Sequence, residues 1–223
     1  MHKCYFRFYE ELNDFLPICK KKERFTHYYF DRASVKDMIE SYGVPHSQID
    51  MILVNGVSVN FNYIINDEDD VSVYPVFESF DISDVQHLRP APLREPLFVI
   101  DVHLGKLAGY MRMLGFDSIY KSECTREELV SVSLNEKRTI LTRDRNLLKI
   151  KEVTHGYWVR NNIPENQLYE VVKRFQLKNL ICEVTRCILC NNLLEPIAKE
   201  KIINKIPEKV TEHHDEFYIC NNC

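Results

Sequence analysis

Two aspartates close apolar runs in the second half of the chain: Asp101 ends Phe98-Val-Ile-Asp, and Asp144 ends Thr139-Ile-Leu-Thr-Arg-Asp. Carboxylates gathered at one sheet edge repel one another unless their oxygens share a hard divalent cation, and such a cation polarises a phosphate and activates water. Glu123 and Glu127 follow a third short apolar run, Ser118-Ile-Tyr, and are the candidates to complete the set. Lys106, Arg112, Arg143 and Arg145 flank the same strand ends. Acids surrounded by bases fit cleavage of a phosphodiester, with Mg²⁺ or Mn²⁺ on the acids and phosphates on the bases. A separate chemistry stands at the other end of this half. Cys187-Ile-Leu-Cys190 and Cys220-Asn-Asn-Cys223 supply four thiolates, a set suited to tetrahedral Zn²⁺ with no open position, and therefore to a structural role.

Each acid also admits a plainer reading. Asp101 and Asp144 could cap the helical turns that follow them, and glutamates at a helix N-terminus are good electrostatics in themselves. Asp117 precedes a strand instead of following one, so it belongs to the opposite sheet edge and reads as a turn residue. Cys4, Cys19, Cys124 and Cys182 are scattered singly and read as small buried hydrophobes.

The elements that must position these residues can be read from periodicity. From Phe98 the order is strand 98–100, helix 103–114, strand 118–120, a helix from Arg126, strand 139–142, strand 153–159 and helix 165–176. Alternation of this kind predicts a parallel sheet in a three-layer α/β domain over 98–180. Carboxyl ends of parallel strands share one edge, which is why Asp101 and Asp144 are the leading pair. Residues 181–223 form the cysteine-bearing ribbon, with short strands expected at 202–206 and 216–219. Residues 1–80 read as a separate α+β unit. It has aromatic strands near 4–9 and 25–30, a helix capped by Ser34 and stopped by Gly43, a hairpin through Asn55-Gly56, and a last strand from Val71. That order is a β-grasp. Pro90, Pro92 and Pro96 mark a linker over 81–97.

The chain of 223 residues is 45% hydrophobic and 28% charged, so it can build more than one core. No apolar run reaches the length of a membrane span and the N-terminus lacks a signal core, so the expectation is a cytoplasmic protein without a membrane partner. The net charge of −4 is uneven. Residues 1–80 hold 8 basic and 13 acidic side chains, whereas 98–180 hold 14 basic and 10 acidic ones. A positive middle in an acidic chain favours an anionic ligand there.

The run Asp101-x-x-Leu104-Gly105-Lys106-Leu107-Ala108, then Met111-Arg112-x-Leu114-Gly115-x-Asp117, and Leu141-Thr142-Arg143-Asp144 resembles the Mut-seven C-terminal RNase domain, a PIN-like nuclease fold with a C-terminal zinc ribbon. Residues 1–80 resemble the ubiquitin-like domain found beside it. The resemblance implies cleavage of single-stranded RNA with Mg²⁺ or Mn²⁺ on Asp101 and Asp144. It also implies a docking role toward a protein partner for the β-grasp, which lacks the diglycine tail of sulfur carriers. The family tends to show an acidic run before the second helix, whereas this chain has Thr125-Arg126-Glu127-Glu128-Leu129. Arg126 in place of an acid leaves an alternative open, a catalytically weakened module that binds RNA or regulates.

Overall fold

The computed structural model of the protein describes residues 1–76, 88 and 95–223, and most of the expected linker at 81–97 lies outside them. The N-terminal unit comprises β1 (His2–Phe8), β2 (Phe25–Tyr29), α1 (Val35–Ser41), β3 (Ile49–Val54), β4 (Val57–Ser58) and β5 (Asp70–Pro75). Its sheet has the order β2-β1-β5-β3-β4, with β1 and β5 parallel and the other pairs antiparallel, the mixed sheet of a β-grasp. Local chemistry sets the turns. Ser34 accepts the Asp37 amide at 3.1 Å to cap α1, and Gly43 leaves the helix at φ +87°. Asn55 and Gly56 both take positive φ, as a two-residue hairpin turn between twisted strands requires. Phe6, Phe8, Ile39, Ile52 and Val73 fill the core between helix and sheet.

The second unit contains β6 (Phe98–Ile100), α2 (Gly105–Met113), β7 (Ser118–Tyr120), α3 (Arg126–Glu136), β8 (Thr139–Thr142), β9 (Gly156–Trp158) and α4 (Pro164–Arg174). The strands form a wholly parallel sheet in the order β7-β6-β8-β9. Side-chain alternation divides the sheet between two cores. Phe98, Ile100 and Leu141 pack with α2 and α4, while Val99 and Ile140 pack with Leu129 and Val130 of α3, which makes three layers. Strand β9 is shorter than the 153–159 expected: the Val153 amide turns back to the Ile150 carbonyl at 2.9 Å instead of pairing with β8.

The ribbon is built on β10 (Glu195–Ile197) paired antiparallel with β11 (Phe217–Ile219). The strand expected at 202–206 is not one. Ile202, Ile203 and Ile206 recur at helical spacing, and the segment coils through a 3₁₀ turn at Ile203–Lys205 before α5 (Glu208–His213).

Two docks hold the units together. At the first, the 3₁₀ turns Glu10–Phe15 and His46–Gln48 of the β-grasp meet the α/β unit. Ser47 donates to the Leu148 carbonyl at 2.8 Å, Asp14 pairs with Arg160 at 2.8 Å, Glu11 pairs with Arg174 at 2.5 Å, and the Phe15 ring lies 5.0 Å from that of Trp158. At the second, the ribbon seats against the edge where β6 and β7 begin. The Cys182 amide donates to the Leu114 carbonyl at 3.1 Å, the Ser118 amide donates to Asn191 Oδ1 at 2.9 Å, and Gly115 turns the chain at φ +90°.

A Cβ on Gly115 would stand 2.1 Å from the Cys182 carbonyl oxygen and 2.7 Å from Thr185 Oγ1, whereas one on Gly43 would meet nothing. Both glycines need the left-handed region, so Gly43→Ala should cost about 1–2 kcal/mol from backbone strain alone. Gly115→Ala should cost more, by at least about 1 kcal/mol, because the ribbon must also back away. Thermal or urea unfolding of the two variants compares them, and equal losses would show that the close approach at Gly115 is unimportant.

Candidate functional site

The pairing of β6 with β8 places Ile100 opposite Leu141, so the next residues, Asp101 and Thr142, are neighbours at the carboxyl edge. Thr142 Oγ1 donates to Asp101 Oδ2 at 2.5 Å and accepts the Asp144 amide at 2.9 Å. One hydroxyl thus joins the two aspartates. Asp101 is 8% exposed and its carboxylate caps no helix, so it turns into the edge of the sheet and not back along its own chain. Asp144 accepts the Asn146 amide on Oδ1, and on Oδ2 it pairs with Arg126 at 2.5 Å.

The glutamates divide. Glu128 is spent in a capping box with Thr125 at the start of α3. Glu123 and Glu127 are exposed and do not join the aspartates. Among the described residues, the one group of three or more His, Cys, Asp or Glu side chains within metal-ligand reach is the four cysteines. The loop after β7 still faces this edge: the Cys124 thiol is pushed up by burial first and then by the charges of Glu128 and Asp101. Mg²⁺ usually keeps several waters and takes one or two carboxylates plus phosphate oxygens, so two hard-oxygen acids fit it in donor type. The guanidinium of Arg126 holds one of them.

The four bases expected to hold phosphates lie in different places. Lys106 is exposed in the first turn of α2. Arg145 is exposed, but its guanidinium stacks 3.8 Å from the Trp158 ring centre and 5.5 Å from that of Phe15. Arg143 donates to the carbonyls of Arg160 and Asn161, bracing the segment after β9. Arg112 corrects the expectation. It is buried at the opposite edge and donates to the carbonyls of Ser118, Ile188 and Leu189, so it carries the ribbon and cannot meet a phosphate at the acid pair.

Asp117 serves the same dock. It accepts from Arg138 at 2.7 Å and Asn191 at 2.8 Å, and pairs with Arg186 at 3.1 Å. Burial opposes its ionisation, but the bonds from Arg138 and Asn191 and the nearby guanidinium charges outweigh that and hold its carboxyl below the usual range. A depressed folded-state pKa gives stability that is full above the unfolded value of about 3.9 and is lost as pH falls through the folded value. Asp117→Asn should therefore lower the unfolding midpoint at pH 7 and reduce the fall in stability below about pH 4. Urea unfolding at stepped pH measures both, and an unchanged acid limb would contradict the assignment.

The ribbon cysteines meet sulfur to sulfur at 3.4 Å (Cys190 and Cys220), 3.5 Å (Cys187 and Cys223) and 3.6 Å (Cys220 and Cys223). A tetrahedral ion with bonds of about 2.3 Å needs edges of about 3.8 Å, so the cluster is close to the size of a zinc site. Backbone amides favour the thiolates: that of Asn192 leads in drawing the Cys190 thiol down to about 6. Cys223, hydrogen-bonded to the sulfurs of Cys187, Cys190 and Cys220, is pushed up to about 12 by these neighbours. Elemental analysis should find one tightly held metal per chain, lost in Cys190→Ser together with ribbon structure. Full metal content in that variant would place the ion elsewhere.

Sequence reading missed Thr142, although it stands inside the Leu-Thr-Arg-Asp run; only the strand register shows that it faces Asp101. It also missed Trp158, Arg160 and Arg174, whose partners lie in the other unit. No helix among the described residues is long and apolar enough to cross a membrane.

Comparison with known families agrees with this division. The family described as Mut7-C ubiquitin matches residues 1–81, and that described as Mut7-C RNAse domain matches residues 96–223. No curated protein and no solved structure matched the chain. With both units matched and more than half of its length within the second match, the chain belongs to the Mut7-C RNAse domain family and carries that family's ubiquitin-like domain in front.

Proposed function

We propose that the protein is a metal-dependent ribonuclease that hydrolyses phosphodiesters of single-stranded RNA at the carboxyl edge of the β6–β8 pair. The observation that carries this reading is the pairing of Asp101 with Asp144 through Thr142 in a chain of an RNase family. Asp101 and Asp144 would hold Mg²⁺ or Mn²⁺, which when bound supplies Lewis-acid polarisation of the phosphate and acidification of water. Thr142 fixes the Asp101 carboxylate by its hydroxyl and the Asp144 backbone by accepting its amide. Glu123, in the loop that follows β7, or Glu127, in the first turn of α3, would complete the set only by moving toward the pair. Lys106, in the first turn of α2, would meet a phosphate, and Arg145, stacked on Trp158, would give a second positive face. Zn²⁺ at the four cysteines would be structural, and a cytoplasmic setting suits reduced thiolates.

A second reading has its own observation. Arg126 pairs with Asp144, and among the described residues no third acid joins the two aspartates, which favours a weakened nuclease that binds RNA without cutting it.

Cleavage of a single-stranded RNA with and without Mn²⁺ separates the two. Asp101→Asn combined with Asp144→Asn should abolish cleavage while leaving the fold intact, and undiminished cleavage would sink the first reading. Arg126 is 60% exposed, so its pair is worth about 0–1 kcal/mol after solvent screening. Arg126→Ala should therefore tighten the apparent Mn²⁺ requirement by no more than about fivefold. A looser requirement would show that the guanidinium assists instead of competing.

A further inference from the structure

A cavity of about 790 Å³ opens between the β-grasp sheet and α4. Its walls include Tyr9 and Tyr74 from one unit and Asn161, Tyr169, Lys173 and Gln176 from the other. Tyr9 and Tyr74 lie stacked with ring centres 4.2 Å apart and planes 12° from parallel, and the Arg7 guanidinium stands 5.1 Å from the Tyr9 ring centre. Tyr169 is 68% exposed. The acids at this wall are largely engaged: Glu11 pairs with Arg174, and Glu170 accepts from the Tyr157 hydroxyl and from the amides of Arg160 and Asn161. Lys173 and Glu10 are exposed there and opposite in sign, so the cavity carries little net charge.

One contact ties the cavity wall to the acid edge. Asn161 lies three residues past the end of β9, and its carbonyl accepts from Arg143, the residue before Asp144. A strand leaving Asp101 and Asp144 toward β9 would pass Asn161 before the tyrosines. Flat rings beside side-chain amides suit unpaired bases, which stack by their faces and bond by their edges, whatever their sequence. The wall also holds Pro75 and Val76, but rings, hydroxyls and amides outnumber these aliphatic groups, which favours bases over an apolar peptide segment. A duplex would need more room.

We infer that this inter-unit cavity is a base-stacking subsite for single-stranded RNA, with the β-grasp domain supplying Tyr9 and Tyr74 and α4 supplying Tyr169. The inference deepens the ribonuclease reading and rests on it for the path of the strand, but the binding it describes does not require cleavage.

The test uses the full chain and fluorescent ten-residue oligouridylate and oligoadenylate, with no divalent cation so that nothing is cut. Tyr74→Ala and Tyr169→Ala should each weaken binding by roughly 5- to 100-fold, whereas Tyr74→Phe and Tyr169→Phe should bind as the parent does. Oligouridylate carrying 5-iodouridine should cross-link to Tyr9, Tyr74 or Tyr169. Three results would overturn the proposal: parental affinity in both folded alanine variants, cross-links confined to other surfaces, or no RNA binding by the parent, including the case in which a protein alone occupies the cavity. Cleavage with Mn²⁺ is scored separately. Binding lost in the alanine variants of a parent that cuts nothing refutes the ribonuclease reading and leaves the subsite. Cleavage with unchanged binding in those variants does the reverse.

Discussion

The parallel pairing of β6 with β8 is the constraint on which the candidate chemistry depends. Its register puts Asp101 beside Thr142, and Thr142 in turn fixes the backbone of Asp144. A one-residue slip would turn each side chain to the other face of the sheet, sending Thr142 away from Asp101 and apolar residues out of both cores. The register is held because both faces are buried, Ile100 and Leu141 on one side and Val99 and Ile140 on the other. Packing in the middle of the sheet thus sets the geometry of the polar group at its end.

The opposite edge is equally specified, for a different purpose. Arg112, Gly115 and Asp117 belong to the same stretch of sequence as Asp101 and Lys106, yet all three serve the ribbon. Helix α2 spans the two tasks: its first turn follows Asp101 and carries Lys106, and its last turn and the loop beyond receive the cysteine-bearing segment. A change in how the ribbon seats therefore acts on the helix whose other end borders the acid pair.

Fold was more legible in the sequence than site. Periodicity, the Asn-Gly turn and the Ser34 cap are local signals, and the elements they predict are present. Asp101 and Asp144 were findable because strand direction alone assigns them to one edge. Arg112 misled because its helical position is compatible with either end of the sheet, and only the ribbon carbonyls reveal which end it serves. Thr142 is an ordinary strand residue until its neighbour across the ladder is known. The 3₁₀ segment near 202–206 was read as a strand because short apolar runs carry no decisive period.

The contact between the two units has a consequence for dissecting the protein. Glu11, Asp14 and Phe15 of the β-grasp engage Arg174, Arg160 and Arg145. A fragment cut at the family boundary would take the acidic partners Asp14 and Glu11 from Arg160 and Arg174, shed an acidic domain and lose the Tyr9 and Tyr74 wall of the cavity. Such a fragment would be a more cationic molecule than its parent, with stronger and less discriminating attraction to any polyanion. The β-grasp is in this sense a set of counter-ions in fixed positions, and the behaviour of the α/β unit toward RNA is a property of the pair.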